Sequence, residues 1–218
     1  MTVQALVFDA YGTLYDVHSV IRRCESCFPG KGAQLSQLWR AKQLEYTWQR
    51  SLMQRYVPFS QVTREALAYS CAALGLELSV ELMEGLLSEY LCLEPFPEVA
   101  EALDRLPMKR AILSNGSPDL LMPLVRHSGL HLDAVLSVDP LRVYKPAPQV
   151  YELAVKQLGV PKERIGFVSS NCWDALGAKS YGFRVFWINR TGAPVDRLGF
   201  TPDAQLKSLA DLTDEVLR

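Results

Sequence analysis

Hydrophobic and polar positions divide this chain into three regimes. Val3 to Phe8 is a short apolar run rich in β-preferring residues and predicts a strand buried on both faces of a parallel sheet. From Val17 to Glu94 no convincing strand occurs, and the apolar positions recur at helical spacing. Leu35, Leu38, Trp39, Lys42 and Tyr46 lie three and four apart, with Trp48, Leu52 and Met53 continuing an apolar side. Ser60, ahead of Val62, Leu67, Ala68 and Cys71, begins a second helix that stops at Gly75, and Ser79 to Leu93 gives a third. The Pro95-Phe96-Pro97 cluster ends this stretch.

The third regime alternates. Strands are predicted at Lys109 to Leu113, Ala134 to Val138, Ile165 to Ser169 and Arg184 to Ile188, with helices over Pro118 to His127, Pro148 to Leu158 and Trp173 to Tyr181. Pro148 opens its helix and Gly159 stands just past its end. One strand, a helical insert and then a βα alternation imply an α/β fold, a doubly wound parallel Rossmann-like sheet. Residues 1–16 and 95–218 would form its core and 17–94 an inserted helical cap, or lid.

Composition limits the setting. The 218 residues are 49% hydrophobic, ample for a real core. With 23 basic and 24 acidic residues the net charge is -1, so no overall field favours nucleic acid or an anionic membrane. No apolar run approaches the roughly 20 residues of a membrane helix. The chain starts without a secretory pattern, which places it in the cytoplasm. Cys24, Cys27, Cys71, Cys92 and Cys172 are odd in number and suit a reducing compartment without disulfides. Cys24 and Cys27 form a C-x-x-C, but no second pair follows, and His18, His127 and His131 lack zinc-ligand spacing.

The first strand ends in a carboxylate, Asp9, and Gly12 permits a sharp turn after it. Asp9 therefore stands at the carboxyl edge of a central strand, where open α/β sheets hold their ligands. There it is a metal ligand, a base or a nucleophile. Three further clusters end later strands on the same edge. Ser114-Asn115-Gly116-Ser117-Pro118 is either an ordinary helix cap or an anion site built from backbone N–H groups. Lys145, between Tyr144 and Pro146, is either a solvated surface charge or compensation for buried carboxylates. Ser169-Ser170-Asn171-Cys172-Trp173-Asp174 either caps the next helix or supplies a base, Asp174, with hydrogen-bond donors.

These four clusters fall in the order and spacing of the four motifs of the haloacid dehalogenase superfamily. Phe8-Asp9-Ala10-Tyr11-Gly12-Thr13-Leu14, Leu113 to Pro118, Val143-Tyr144-Lys145-Pro146 and Val168 to Ala175 resemble the L-2-haloacid dehalogenases in particular. The likeness extends over essentially the whole chain, including Trp39-Arg40 and Tyr46-Thr47-Trp48. Phosphatases of the superfamily typically carry a second aspartate two residues after the first, to protonate a leaving alkoxide; here Tyr11 stands there. A halide is a very weak base and needs only positive charge or donors. The fourth motif also shows Ser169 and Asn171 where magnesium-binding acids would stand, so the resemblance implies a site with no metal and no cofactor.

The resemblance further implies hydrolysis of a small 2-halo carboxylic acid through an ester on Asp9. Water activated by Asp174 would then attack the ester carbonyl of Asp9. Thr13, Ser169 and Asn171 would orient Asp9 or the water, Lys145 would hold the carboxylate charges, and Tyr151 would position that lysine. Ser114, with backbone N–H groups near Tyr11, would bind the substrate carboxylate, and Arg40 with Asn115 would draw off the halide. Tyr11, Leu44, Phe59 and Trp173 would form an apolar wall. Cys172 departs from the small residue expected at its position. A homodimer is expected on the same basis. The rivals are a magnesium-dependent phosphatase on the same scaffold and a non-catalytic flavodoxin-like receiver, which would have no need of Asp9, Lys145 and Asp174 together.

Overall fold

A computed structural model describes residues 2–216; the expected core boundaries at 1 and 218, with residue 217, lie outside the described residues. Six parallel strands form one sheet in the order β3-β2-β1-β4-β5-β6. They are β1 (Ala5–Phe8), β2 (Lys109–Ser114), β3 (Ala134–Ser137), β4 (Ile165–Ser169), β5 (Arg184–Ile188) and β6 (Ala204–Leu206). Strand order reverses at β1, which pairs with β2 on one side and β4 on the other. The four residues of β1 are fully buried, as a central strand covered on both faces requires. The strand starts two residues later than the apolar run suggested.

The register places three of the four sequence clusters together, those of Asp9, Ser114 and Ser169. Phe8 stands opposite both Ile112 and Val168, and the Asp9 amide donates to the Val168 carbonyl at 2.9 Å. Asp9 therefore leaves the sheet beside Ser169, and Ser114 leaves it one strand away. Gly12 turns the chain with φ of 87°, a region that favours glycine.

Between β1 and β2 the chain forms helices α1 (Ile21–Cys27), α2 (Gly32–Leu52), α3 (Phe59–Ala73) and α4 (Val80–Ser88). The outgoing and returning chains pair at the base of this insert. The Asp16 amide donates to the Glu94 carbonyl at 2.8 Å, and the Phe96 amide to the Leu14 carbonyl at 3.0 Å. The remaining helices are α5 (Val99–Asp104), α6 (Pro118–Ser128), α7 (Pro148–Leu158), α8 (Cys172–Tyr181) and α9 (Leu212–Val216). Among the described residues no helix is long and apolar enough to cross a membrane.

Two expectations about the insert need correction. The third helix does not run to Leu93; Ser79 caps α4 by accepting the Leu82 amide, and the helix tightens into a 3-10 turn at Glu89–Leu91. The apolar stripe of α2 is buried at Leu35 and Trp39, but its later part is not. Leu52 and Met53 are 85% and 60% exposed, whereas Ser36, Gln43 and Thr47 are buried. Hydrogen bonds make that burial tolerable. Gln43 donates to Thr63 Oγ1 at 3.0 Å and accepts from the Tyr90 hydroxyl at 3.1 Å. The short helix α1, which carries Cys24 and Cys27, and strand β6 gave no readable periodicity.

Candidate active site

Lys145 organises the carboxyl edge of the sheet. Its Nζ lies 3.0 Å from Asp9 Oδ1 and 2.9 Å from Asp174 Oδ2, with no exposed side-chain surface on either Lys145 or Asp174. Burial alone lowers an ammonium pKa, but the charges of Asp174 and Asp9 outweigh it and the Lys145 pKa is raised. Asp174, at the start of α8, is pushed up to about 6: burial raises it, Lys145 lowers it and the Asp9 charge raises it again. The Tyr151 hydroxyl, from α7, donates to Asp174 Oδ1 at 2.9 Å. Its own pKa is raised by burial and by that carboxylate, so it stays a donor.

Asp9 is held by three donors in an asymmetric way. Oδ1 receives Lys145 alone, whereas Oδ2 receives the Thr13 hydroxyl at 3.1 Å and Asn171 Nδ2 at 2.7 Å. Asn171 Nδ2 also donates to the Tyr11 carbonyl at 3.0 Å. Thr13 is itself fixed from β4: the Ser170 amide donates to its Oγ1 at 2.9 Å, and the Ser170 hydroxyl donates to the Gly12 carbonyl. Accepting the amide leaves the threonine proton directed at Asp9.

A small cavity of about 10 Å³, roughly the room of one water, borders Asp9. Asp9, Tyr11, Arg40, Leu44, Phe59, Asn115, Asn171 and Trp173 line it, and each was a candidate from sequence. Tyr11 stacks on Phe59 with ring centroids 5.5 Å apart. Its buried hydroxyl has no partner among the described residues, and burial raises its pKa, so it stays protonated at neutral pH. Arg40 Nη2 lies 3.4 Å from the Tyr11 carbonyl, and Asn115 Oδ1 accepts the Lys145 amide at 2.9 Å, leaving the amide nitrogen of Asn115 free to donate.

Two candidates, Ser114 and Ser169, neither line the cavity nor make a hydrogen bond to Asp9, Lys145 or Asp174. Ser114 is fully buried and accepts the Gly116 amide at 3.0 Å. Ser169 reaches Asn171, accepting its amide at 3.1 Å, and touches Asp9 through no hydrogen bond. Sequence reasoning missed Ser170, which the Thr13 contacts single out, because a serine inside a polar strand end carries no signal of its own. Among the described residues, no three His, Cys, Asp or Glu side chains group as metal ligands.

The chain is 52% identical to the (S)-2-haloacid dehalogenase of Pseudomonas sp. (strain YL) over 95% of its own length and 91% of that protein's. A solved L-2-haloacid dehalogenase superposes with a TM-score of 0.98 at 47% identity, each chain covered in full. The L-2-haloacid dehalogenase of Xanthobacter autotrophicus with chloropropionic acid covalently bound gives 0.94 at 43% identity, covering 99% of both chains. The family model of haloacid dehalogenase-like hydrolases matches residues 3–182, which contain the whole Asp9–Lys145–Asp174 cluster. The chain belongs to the haloacid dehalogenase-like hydrolase family.

Proposed function

We propose that this protein hydrolyses small L-2-haloalkanoic acids to D-2-hydroxy acids through an ester on Asp9. The observation that carries this reading is the buried Lys145 ammonium between Asp9 and Asp174, with Asp9 facing a cavity that offers donors but no acid for a leaving group. A leaving halide needs charge and donors, not a proton. The ammonium also supplies the positive charge between the carboxylates, so the reading needs no metal.

The asymmetry at Asp9 supports different roles for its two oxygens. Oδ1 attacks C2 opposite the halogen, forming the C–O bond as the C–halogen bond breaks and halide leaves. C2 inverts. Oδ2 becomes the ester carbonyl oxygen, still facing the Thr13 hydroxyl and Asn171. When water, deprotonated by Asp174, attacks Cγ of Asp9, charge collects on Oδ2 and these two donors stabilise it. Collapse breaks the bond between Cγ and Oδ1. Oδ1 leaves on the 2-hydroxy acid with the proton that Asp174 took from the water, and Asp9, which keeps the water oxygen, loses its remaining proton to solvent.

Around this centre, Arg40 and Asn115 receive the halide and Ser114 with the nearby backbone amides receives the substrate carboxylate. Tyr11, Leu44, Phe59 and Trp173 exclude water until the ester exists. Tyr151 and Ser169 act through Asp174 and Asn171. Residues 17–94 serve as a cap that supplies Arg40, Leu44 and Phe59 to the cavity wall, with the paired segments near Asp16 and Glu94 at its base. We place the protein in the cytoplasm as a homodimer, with exposed Leu52 and Met53 offering apolar surface to a second copy.

Halide release from racemic 2-chloropropionate in the presence of a chelator, with chiral analysis, tests the reading. Release that stops at half conversion, consumes the L acid and yields D-lactate is expected. No halide from this acid or from 2-chloroacetate, with the protein folded, refutes it.

A further inference from the structure

Arg190, two residues beyond β5, reaches the turn that follows Asp9. Its Nη2 donates to the Thr13 carbonyl at 3.0 Å and to Glu98 Oε1 at 2.8 Å, and Nη1 lies 3.4 Å from the Gly12 carbonyl. The guanidinium carbon sits 3.8 Å from the Phe96 ring centroid. Phe96 belongs to the returning segment whose amide bonds Leu14. One planar cation therefore touches the nucleophile turn, the chain leaving the insert and the acid at the entry to α5.

We propose that Arg190 is a positioning residue: it clamps the Gly12–Thr13 turn to the Phe96–Glu98 segment and so sets the donor that faces Asp9 Oδ2. This rests on the reading of Asp9 as nucleophile. Thr13 is held at two points, its Oγ1 by the Ser170 amide and its carbonyl by Arg190, and its remaining proton goes to Asp9. Freeing the carbonyl lets the peptide plane tilt and carries the hydroxyl with it. Several donors in a rigid fork, together with a face that stacks on Phe96, suit arginine alone. Lysine keeps the charge but cannot bond Thr13 and Glu98 while lying flat on the ring.

The test compares wild type, Arg190→Met and Arg190→Lys, each with Thr13 intact and with Thr13→Val, for thermal midpoint, kcat and KM on L-2-chloropropionate. Methionine retains length and apolar contact with Phe96. It is expected to lower kcat on the order of tenfold with KM little moved. Lysine recovers part of that loss. In the Thr13→Val background, where the positioned hydroxyl is gone, Arg190→Met is expected to cost less than about twofold. Unchanged kcat in Arg190→Met below its melting range overturns the clamp, however far the midpoint falls, and so does an equal loss in both backgrounds. Should Arg190→Met not fold, Arg190→Lys decides by the same comparison. A wild type that releases no halide refutes the dehalogenase reading itself; an active wild type with an equally active Arg190 variant refutes only the clamp.

Discussion

Lys145 and Asp174 form an ion pair 2.9 Å long in which neither side chain exposes any surface, and the same ammonium stands 3.0 Å from Asp9. Two carboxylates and one ammonium leave a net negative charge at the end of the sheet. Attraction in so dry a place is strong, and so is the cost of leaving either sign alone.

Replacing Lys145 by Met strands two carboxylates and should abolish turnover. It should also cost about 3–5 kcal/mol of stability near pH 8. The sign with pH follows from linkage. Without the ammonium the folded-state carboxylate pKa rises further above its unfolded value, so the penalty is full at high pH and fades as pH falls through the folded value. Urea unfolding at pH 8 and at pH 5 checks this. A penalty that is equal at both would show that the carboxylates are not what the lysine compensates.

Asp174 must be ionised to take a proton from water, and burial pushes its pKa to about 6 in the free enzyme, with Lys145 pulling down and Asp9 pushing up. Esterification removes the Asp9 charge. Single-turnover hydrolysis should therefore fall as pH drops, with a midpoint below 6. Tyr151→Phe deletes a donor that stabilises the ionised acid, so its midpoint should move up. Asp174→Asn should release one halide per site and stop with the ester in place, a mass gain on Asp9 that intact-protein mass spectrometry detects.

Much of this site was legible because strand ends announce themselves. Asp9, Ser114 and Ser169 each terminate an apolar run, and a parallel sheet brings such ends to one edge whatever their separation in the chain. The periodicity of α2 misled because Gln43 and Thr47 are buried by pairing, and pairing partners on other helices leave no trace in a local window. Leu52 and Met53, exposed at the end of α2, misled in the opposite direction. Ser170 and Arg190 act through backbone atoms of Gly12 and Thr13, so nothing in their side-chain type marks them out. The role of Arg40 came from the resemblance; the structure adds its place on the cavity wall.

Thr13 offers a direct measure of the oxyanion argument. Thr13→Val preserves shape and removes one of the two donors on Asp9 Oδ2. Loss of such a donor typically costs on the order of 10² in rate. The loss should fall on ester hydrolysis more than on halide release, so a burst of halide followed by slow turnover is expected. A uniform slowing of both steps would argue that Thr13 only holds the loop.

Gly177 provides a prediction whose sign is opposite to the ordinary one. Glycine inside a helix usually costs about 1 kcal/mol relative to alanine, so substitution at an open site stabilises. Gly177 lies one turn after Asp174 in α8, and a Cβ there would stand 2.5 Å from the Tyr151 hydroxyl and 2.6 Å from Pro146 Cβ. Both neighbours carry partners of Asp174: Tyr151 directly, and Pro146 through Lys145. Gly177→Ala should therefore destabilise by about 1–3 kcal/mol, as overpacking does, and slow ester hydrolysis. In Tyr151→Phe the shortest contact is gone, leaving Pro146 Cβ at 2.6 Å and the ring Cζ at an ordinary 3.4 Å, so the same alanine should cost less in both stability and rate. A double-mutant cycle between the two positions measures the difference. Additive effects would mean that Gly177 gives no special room to the tyrosine, and a stabilised Gly177→Ala would mean that the helix seats neither neighbour so closely.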